Sequence, residues 1–419
     1  MIRTTTLPNG LLVLTESMSH VRSATIGVWA DVGSAAEPAE RRGISHLLEH
    51  MVFKGTRRRT AVAIAQEMDA VGGELNAMTD KETTCFYAHV VDRHLPRAVD
   101  VLADMLQHAL FAADDLERER QVVLEEIKMY DDSPGEVLHD RFTRALWRGA
   151  HLGDPTIGFS NTVTSITRDD LLAWRTARYA PTTMIVTAAG NVEHDAVVQL
   201  IGEAFDGFAG DVNAPAPERP RFTPDLDVTV DDTEQAYVLL GTPGLALNDD
   251  RRYALSVLDT LLGGGMSSRL FQSVREERAL AYEISSFQQG YRGAGLFGIS
   301  AGCSPERVQE CVDVVVDELD RLLQDGVGVD EVERTREHLK GNLILALEST
   351  YNRMSRLARN QIVHGRQIAT EEVEAGFDAV DAAAVDALAR ELLAPSQRGL
   401  CVLGPSAVRG VRLAGAAAA

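Results

Sequence analysis

The sequence predicts an α+β protein made of two homologous halves, each a mostly antiparallel sheet with helices packed on one face. Short β-like runs such as ATIGVWADVGS and LFGISAGC alternate with long helical patterns at 114–130 and 330–348. Strand pairs that are joined closely and followed by helices are typical of α+β domains. A proline-rich segment divides the chain near its middle, and the order of features before it recurs after it.

The domain boundaries follow from that central segment. It reads DVNAPAPERPRFTPDLDVTVDD and has four prolines between positions 215 and 224, a composition typical of an exposed, semi-rigid linker. We therefore expect a first domain at 1–210, a linker at 211–232 and a second domain at 233–410. The end of the chain, LAGAAAA, predicts a flexible tail at 411–419.

The two halves contain matching runs of predicted strands and helices. The NG of TLPNGLLVL predicts a hairpin turn near the start. The run FYAHVVDRHLPRAVDVLADML matches LFGISAGCSPERVQECVDVVVDEL, with Val91 against Cys303 at an offset of 212 (303 − 91). Further on, Glu117 matches Glu333 at an offset of 216 (333 − 117). Two such similar offsets indicate a duplicated domain.

Composition excludes several classes of protein. With 419 residues and 45% apolar content, the chain is long enough for two domains with cores of their own. No stretch approaches the roughly 20 apolar residues of a membrane span. The net charge of −21 argues against binding nucleic acid, which requires a basic surface. The four cysteines form neither a CxxC pair nor a disulfide framework, which favours a reduced, cytoplasmic location.

The stretch GISHLLEHMVFKGT at 43–56 carries the candidate chemistry. On a helix, His46 and His50 share one face about one turn apart, so both imidazoles can bind one zinc ion. Glu49 projects to the same side and can approach a water molecule without being a ligand. Taken alone, the motif is better explained by a polar surface helix.

A distant helical pattern, DLERERQVVLEEIKMY, offers the missing ligand. Glu119 and Glu126 are seven residues apart and share a face, whereas Glu125 points elsewhere. One of the two carboxylates could complete the zinc site and the other could support it. In the second half, Thr335 and Asn342 align with these two glutamates, so that half has lost or never had the site.

These residues together resemble the pitrilysin/insulysin family of zinc metallopeptidases, whose signature is HxxEH. The sequence is most similar to the bacterial single-chain peptidases that are themselves similar to the β subunit of mitochondrial processing peptidase. In that family the glutamate ligand follows the second histidine by about 75 residues, and here Glu126 follows His50 by 76 (126 − 50). Glu119 matches the family's supporting glutamate. GGELNAMTDKETTCFYAHV and KGNLILALESTYNRMSRLAR extend the resemblance over the whole chain.

The resemblance implies a clamshell of two halves around a cavity that holds an unfolded peptide. The peptide would add as a β-strand at an edge carrying Asn76 and Ala77. Arg275 and Tyr282, seven residues apart, match a pair that contacts the bound backbone, with the tyrosine near the developing oxyanion. The alternatives are an ordinary strand after a Gly-Gly turn, a surface arginine and a half-buried tyrosine.

We therefore expect a zinc endopeptidase that hydrolyses peptides or unfolded polypeptide segments as a homodimer, with no nucleic-acid partner. One Zn²⁺ per chain would be held by His46, His50 and Glu126, with Glu49 as general base, Glu119 in support and Tyr282 at the oxyanion. Two alternatives are a non-catalytic scaffold or regulatory subunit of a peptidase pair and a zinc-containing peptide-binding clamp. The first would be distinguished by assay of the purified chain, and the second requires a fourth protein ligand, for which the sequence offers no candidate.

Overall fold

The computed structural model describes residues 1–413, which divide into two compact units. Unit 1 comprises Met1–Lys128, Pro155–Ala216 and Leu345–Gln367. Unit 2 comprises Met129–Asp154, Pro217–Ile344 and the described residues from Ile368 onward. Each unit contains one mostly antiparallel sheet with helices packed on it, so the predicted α+β class is confirmed.

The strands and helices are numbered in chain order. The strands are β1 Ile2–Thr6, β2 Leu12–Ser17, β3 Ser23–Ala30, β4 Glu74–Thr79, β5 Thr84–Val91, β6 Met184–Gly190, β7 Leu226–Val230, β8 Ala236–Pro243, β9 Ala281–Gly290, β10 Gly295–Cys303 and β11 Gly399–Gly404. The helices are α1 Ile44–Val52, α2 Ala61–Asp69, α3 Leu95–His108, α4 Ala113–Asp131, α5 Pro134–Leu146, α6 Ser160–Ser165, α7 Arg168–Arg178, α8 His194–Ala204, α9 Arg252–Gly263, α10 Val308–Asp325, α11 Val329–Ala346, α12 Thr350–His364, α13 Thr370–Asp378 and α14 Ala382–Leu392.

The sheet of unit 1 has the strand order β1-β2-β6-β3-β5-β4. All its pairs are antiparallel except β2 with β6. The hairpin predicted at the start is confirmed, because β1 pairs with β2 and Gly10 adopts the left-handed φ of +95° that such a turn requires. Strand β4 lies at the edge of the sheet, and within residues 1–413 no strand pairs with its outer side.

The sheet of unit 2 has the order β7-β11-β8-β10-β9, with β7 and β11 as its parallel pair. Strand for strand this repeats β2-β6-β3-β5-β4 of unit 1, including the direction of every pair. The shared topology supports the duplication inferred from the offsets. Strand β9 occupies the edge position that β4 has in unit 1.

One face of the unit 1 sheet builds the main core. Alternate side chains of β3, such as Ile26 and Val28, are buried there against the apolar stripe of α3, which includes Leu102 and Met105. Burying such a stripe is the main source of stability for an amphipathic helix.

The opposite face of the same sheet is covered by α12, from late in the chain. Trp29 of β3 packs with Met354 and Ala358, both fully buried. The Thr25 and Thr350 hydroxyls are 2.8 Å apart. The sequence pattern predicts helices on one face only, and this is wrong for unit 1, because the second face carries the apolar Trp29, which α12 covers.

Unit 2 is arranged in the same way. Val238 and Leu240 of β8 are buried on the α10 side of the sheet. On the other side lies α5, packed so closely that a Cβ on Gly241 would be 2.3 Å from the Phe142 ring. Thus α5, expected within the domain 1–210, belongs to unit 2, and α12, expected within 233–410, belongs to unit 1.

Two further boundaries differ from expectation. Strand β7 lies inside the segment predicted as a linker, where it pairs with β11. Val411 and Leu413 are buried in the unit 2 core, although they were predicted to begin a flexible tail; residues 414–419 of that tail lie outside the described residues. Within the described part of the chain, no helix has the length and apolarity needed to cross a membrane.

Replacing Met354 by alanine should destabilise the protein by about 2–5 kcal/mol, because it leaves a cavity between α12 and the sheet. Urea unfolding followed by circular dichroism measures the loss. Met129→Ala is the matched control: this side chain is 71% exposed, and the change should stay within about 0.5 kcal/mol. Equal unfolding midpoints for the two variants would contradict the packing of α12 described above.

Candidate metal centre

Helix α1 presents the two histidines and the glutamate of HLLEH on one side and buries the leucines of the motif on the other. Leu47, Leu48 and Met51 are fully buried in the unit 1 core. The helix begins after Gly43, whose φ is +90° and whose Cβ, if it had one, would lie 2.4 Å from the Ile157 carbonyl oxygen. Only glycine fits such a start. The remaining face carries the two histidines and the glutamate between them.

The start of α1 is held by a buried carboxylate. Glu37 accepts hydrogen bonds from the backbone N–H groups of Gly43 and Ser45, each at 2.7 Å. A negative charge at this end of a helix also interacts favourably with the helix dipole. Burial raises the pKa of Glu37 to about 7, against the opposing effect of these backbone hydrogen bonds.

Helix α4 brings the two distant glutamates to the same place. Its apolar side chains Leu116, Val123 and Ile127 are buried in the unit 1 core and fix its rotation. Glu119 and Glu126 then face α1, as their spacing of seven predicted. Glu125 points to solvent, where it pairs with Lys128 at 2.7 Å.

His46, His50 and Glu126 each offer a ligand atom within 4.8 Å of the others. The Oε2 atom of Glu126 lies 3.9 Å from Nε2 of His46 and 3.7 Å from Nε2 of His50. Donors around a tetrahedral zinc ion are about 3.4 Å apart, given bond lengths near 2.0–2.1 Å. The ligand atoms are therefore spaced more widely than the donors of a zinc shell.

The Glu119 carboxylate contacts Nδ1 of His50, the ring nitrogen other than the one that faces Glu126. Its Oε2 atom lies 3.3 Å from Nδ1 of His50, and its Oε1 atom lies 2.7 Å from the Lys54 ammonium. A carboxylate at Nδ1 favours the tautomer with its proton there, which leaves the Nε2 lone pair for a metal. Lys54 in turn balances the charge of the carboxylate.

The pKa shifts of His46 and Glu49 suit a metal centre. Burial lowers the pKa of His46 to about 3, with a smaller contribution from His50, so the imidazole is neutral and able to bind a cation. Burial also raises the pKa of Glu49, while a hydrogen bond from Thr79 opposes the shift. A raised pKa brings a carboxylate closer to the range of a general base.

The donor set fits zinc. Imidazole and carboxylate are both ligand types that zinc takes in proteins, and three protein ligands are typical of a catalytic site with an open position. Among the described residues, this is the one group of three or more histidine, cysteine, aspartate or glutamate side chains arranged to hold a metal. In unit 2, the two residues aligned with Glu119 and Glu126 make contacts within their own helix. The Thr335 hydroxyl donates to the Glu331 carbonyl, and the Asn342 side-chain nitrogen lies 3.0 Å from Nε2 of His338.

The predicted substrate residues lie in separate units. In unit 1, Asn76 and Ala77 are in the edge strand β4, with Asn76 exposed, and α1 packs against this strand. In unit 2, the Arg275 guanidinium lies 5.2 Å from the centre of the Tyr282 ring. Tyr282 is 81% exposed and, with Arg275, lines an open cavity of about 620 Å³.

Three residues around the centre were missed by the sequence analysis: Glu37, Lys54 and Thr79. Each acts through a neighbour and not by direct contact with the metal group. Lys54 follows His50 by four residues, a helical spacing that could have signalled it. Nothing in the local sequence pairs Glu37 with the start of α1 or Thr79 with Glu49.

Zinc affinity should fall in a graded way across variants of this centre. His50→Ala and Glu126→Ala remove a ligand and should abolish stoichiometric zinc binding. Glu119→Gln keeps all three ligands but weakens the support of His50, so the affinity should fall about 10–100-fold. Competition with a chromophoric chelator measures each value.

Glu125→Gln is the matched control, since this side chain lies on the same helix and faces solvent. It should bind zinc as the unmodified chain does. Full zinc binding by Glu126→Ala would show that the α4 carboxylate is no ligand.

Comparison with known proteins identifies the family. The model for insulinase (peptidase family M16) matches residues 12–159, which include the metal centre. The model for the peptidase M16 inactive domain matches residues 165–339. The half that carries the ligand set and the half that lacks it thus match the two family models in the order expected.

Similar relatives match almost the whole length of this chain. An uncharacterized zinc protease of Streptomyces coelicolor is 43% identical over 413 residues, which cover 96% of this chain and 90% of the relative. An uncharacterized zinc protease of Bacillus subtilis is 38% identical over 406 residues, covering 97% and 99%.

Solved structures agree in fold. A peptidase M16 inactive domain from Pseudomonas fluorescens has a TM-score of 0.91 at 19% identity, with 97% of this chain and 98% of that chain covered. A protease from Helicobacter pylori has a TM-score of 0.90 at 24% identity, with coverages of 97% and 100%. Together with the family models, these similarities confirm the resemblance drawn from the HxxEH motif: the chain belongs to peptidase family M16, the insulinase family of zinc proteases.

Proposed function

We propose that this protein is a zinc endopeptidase that hydrolyses peptides or unfolded polypeptide segments. The observation that carries the proposal is the group of His46, His50 and Glu126 with the carboxylate of Glu49 beside it. Three ligands and an adjacent base are what hydrolysis by an activated water requires.

His46, His50 and Glu126 would hold the zinc, which when bound supplies Lewis acidity that polarises a carbonyl and lowers the pKa of a water ligand towards about 7. Glu49 then acts as general base: it takes a proton from the attacking water and later gives a proton to the leaving amine. Its partial burial favours this role, because burial raises the pKa of Glu49 and so makes its carboxylate a stronger base for the proton transfer.

Substrate would bind as an added strand along the free edge of β4. This strand carries Asn76 and Ala77 and packs against α1, so a peptide paired with it would pass close to Glu49. Pairing through the main chain demands little of the substrate side chains, which suits unfolded segments. We assign Arg275 and Tyr282 to the bound backbone and the oxyanion, since both offer hydrogen-bond donors and are accessible in unit 2.

The complete ligand group distinguishes this proposal from a non-catalytic subunit, which has no need to retain it. A purely structural zinc site would be closed by a fourth protein ligand. No fourth histidine, cysteine or carboxylate joins the group within the described residues. The open position therefore favours catalysis.

Glu49→Gln should keep zinc binding and lose about 10²–10⁴-fold in turnover, the usual contribution of a general base. The measurement is hydrolysis of a library of quenched fluorescent peptides by zinc-loaded protein, alongside metal analysis. Glu40→Gln is the matched control, because this nearby carboxylate is exposed and outside the centre.

A chelator should stop hydrolysis by the unmodified chain, and added zinc should restore it. Turnover by Glu49→Gln equal to that of Glu40→Gln would remove Glu49 from the mechanism. A zinc-loaded chain that cleaves no member of the library would favour the non-catalytic alternative.

A further inference from the structure

We propose that Thr79 is a positioning residue for the general base: its hydroxyl holds the Glu49 carboxylate in the orientation needed for proton transfer. This inference rests on the proposed peptidase function. It concerns a residue of the substrate-binding edge strand that does not touch the metal group and lies outside the HLLEH motif.

The contact itself is short and directional. Thr79 Oγ1 lies 2.5 Å from Glu49 Oε2, within the range of an O–H group donating to a carboxylate. Threonine is stiff about χ1, so a hydroxyl placed by its backbone stays in place. With one carboxylate oxygen held by this bond, the other oxygen remains available to a water molecule.

The backbone of Thr79 is itself fixed. It ends β4, and the turn that follows is closed by the Asp80 N–H donating to the Thr83 carbonyl at 2.8 Å. The turn also accepts from the N–H groups of Ser34 and Ala35, through the Asp80 and Lys81 carbonyls, at 3.1 and 2.8 Å.

The turn lies so close to the segment 33–37 that there is no room for a side chain at position 33. A Cβ on Gly33 would lie 2.1 Å from the Asp80 carbonyl oxygen. The segment ends at Glu37, whose carboxylate bonds the first N–H groups of α1. Strand β4, which carries the Thr79 donor, and helix α1, which carries the Glu49 acceptor, are therefore joined through one continuous hydrogen-bonded frame.

By fixing the position of Thr79, this hydrogen-bonded frame should also order the side chain of the general base, Glu49. A glutamate side chain has several rotamers, and ordering it costs conformational entropy. Because Thr79 is already ordered, the bond restricts Glu49 before substrate arrives. Loss of the hydroxyl should lower the fraction of molecules with a correctly placed base, which reduces kcat without removing zinc or weakening substrate binding.

The test compares Thr79→Val, which keeps the shape but removes the donor, with Thr79→Ser, which keeps the donor. We expect kcat to fall about 10–100-fold in Thr79→Val, as for loss of a hydrogen bond to a charged group, with KM and zinc content unchanged. Thr79→Ser should stay within about threefold of the unmodified chain. Adding Thr79→Val to Glu49→Gln should cost little further turnover, because the two residues act as a unit.

Thr176→Val is the control for removal of an exposed hydroxyl, since Thr176 lies on α7 and bonds only its own helix. Unchanged kcat in Thr79→Val, or a loss matched by lost zinc, would overturn the inference while leaving the peptidase proposal standing. If the unmodified chain proves inactive, crystal structures of its zinc-loaded form and of zinc-loaded Thr79→Val still decide. A displaced Glu49 carboxylate in the variant supports the positioning role, and an unmoved one refutes it.

Discussion

The candidate centre depends on the packing of α4 beside α1 in the unit 1 core. Glu126 follows His50 by 76 residues (126 − 50) and is brought to it only because Leu116, Val123 and Ile127 are buried and fix the rotation of α4. A rotation of α4 by about 100°, the angle between successive residues of a helix, would turn the Glu126 carboxylate away from the two histidines. Apolar packing therefore determines whether the HLLEH helix has a third ligand at all.

The two similar sheets differ in the metal group, which the described residues form in unit 1 and not in unit 2. Unit 2 repeats the strand order of unit 1 and retains a long helix, α11, in the place of α4. On that helix Thr335 and Asn342 stand where unit 1 has its two glutamates. Their side chains make hydrogen bonds within the helix, so the fold is kept while the donor set is absent. The same scaffold thus carries the candidate metal group in unit 1 and other side chains at the aligned positions of unit 2.

Much of this could be predicted from the sequence because it depends on local periodicity. The i,i+4 histidines and the seven-residue spacing of Glu119 and Glu126 define shared helix faces wherever the helices lie. The exchange of α5 and α12 could not be predicted, since an amphipathic pattern says that a helix packs but not on which sheet. Strand β7 could not be predicted either, because the segment before it is rich in proline and is typical of a linker. Contacts such as Thr79 with Glu49 join residues 30 positions apart (79 − 49) and leave no periodic trace.

The metal centre requires three side chains from two distant segments to meet around one ion. Diffraction from crystals of the zinc-loaded chain, with data collected on both sides of the zinc absorption edge, tests this arrangement. This arrangement predicts one strong anomalous peak per chain within about 2.0–2.2 Å of His46, His50 and Glu126. A peak at another set of residues, or none between these three at full zinc occupancy in solution, would contradict it.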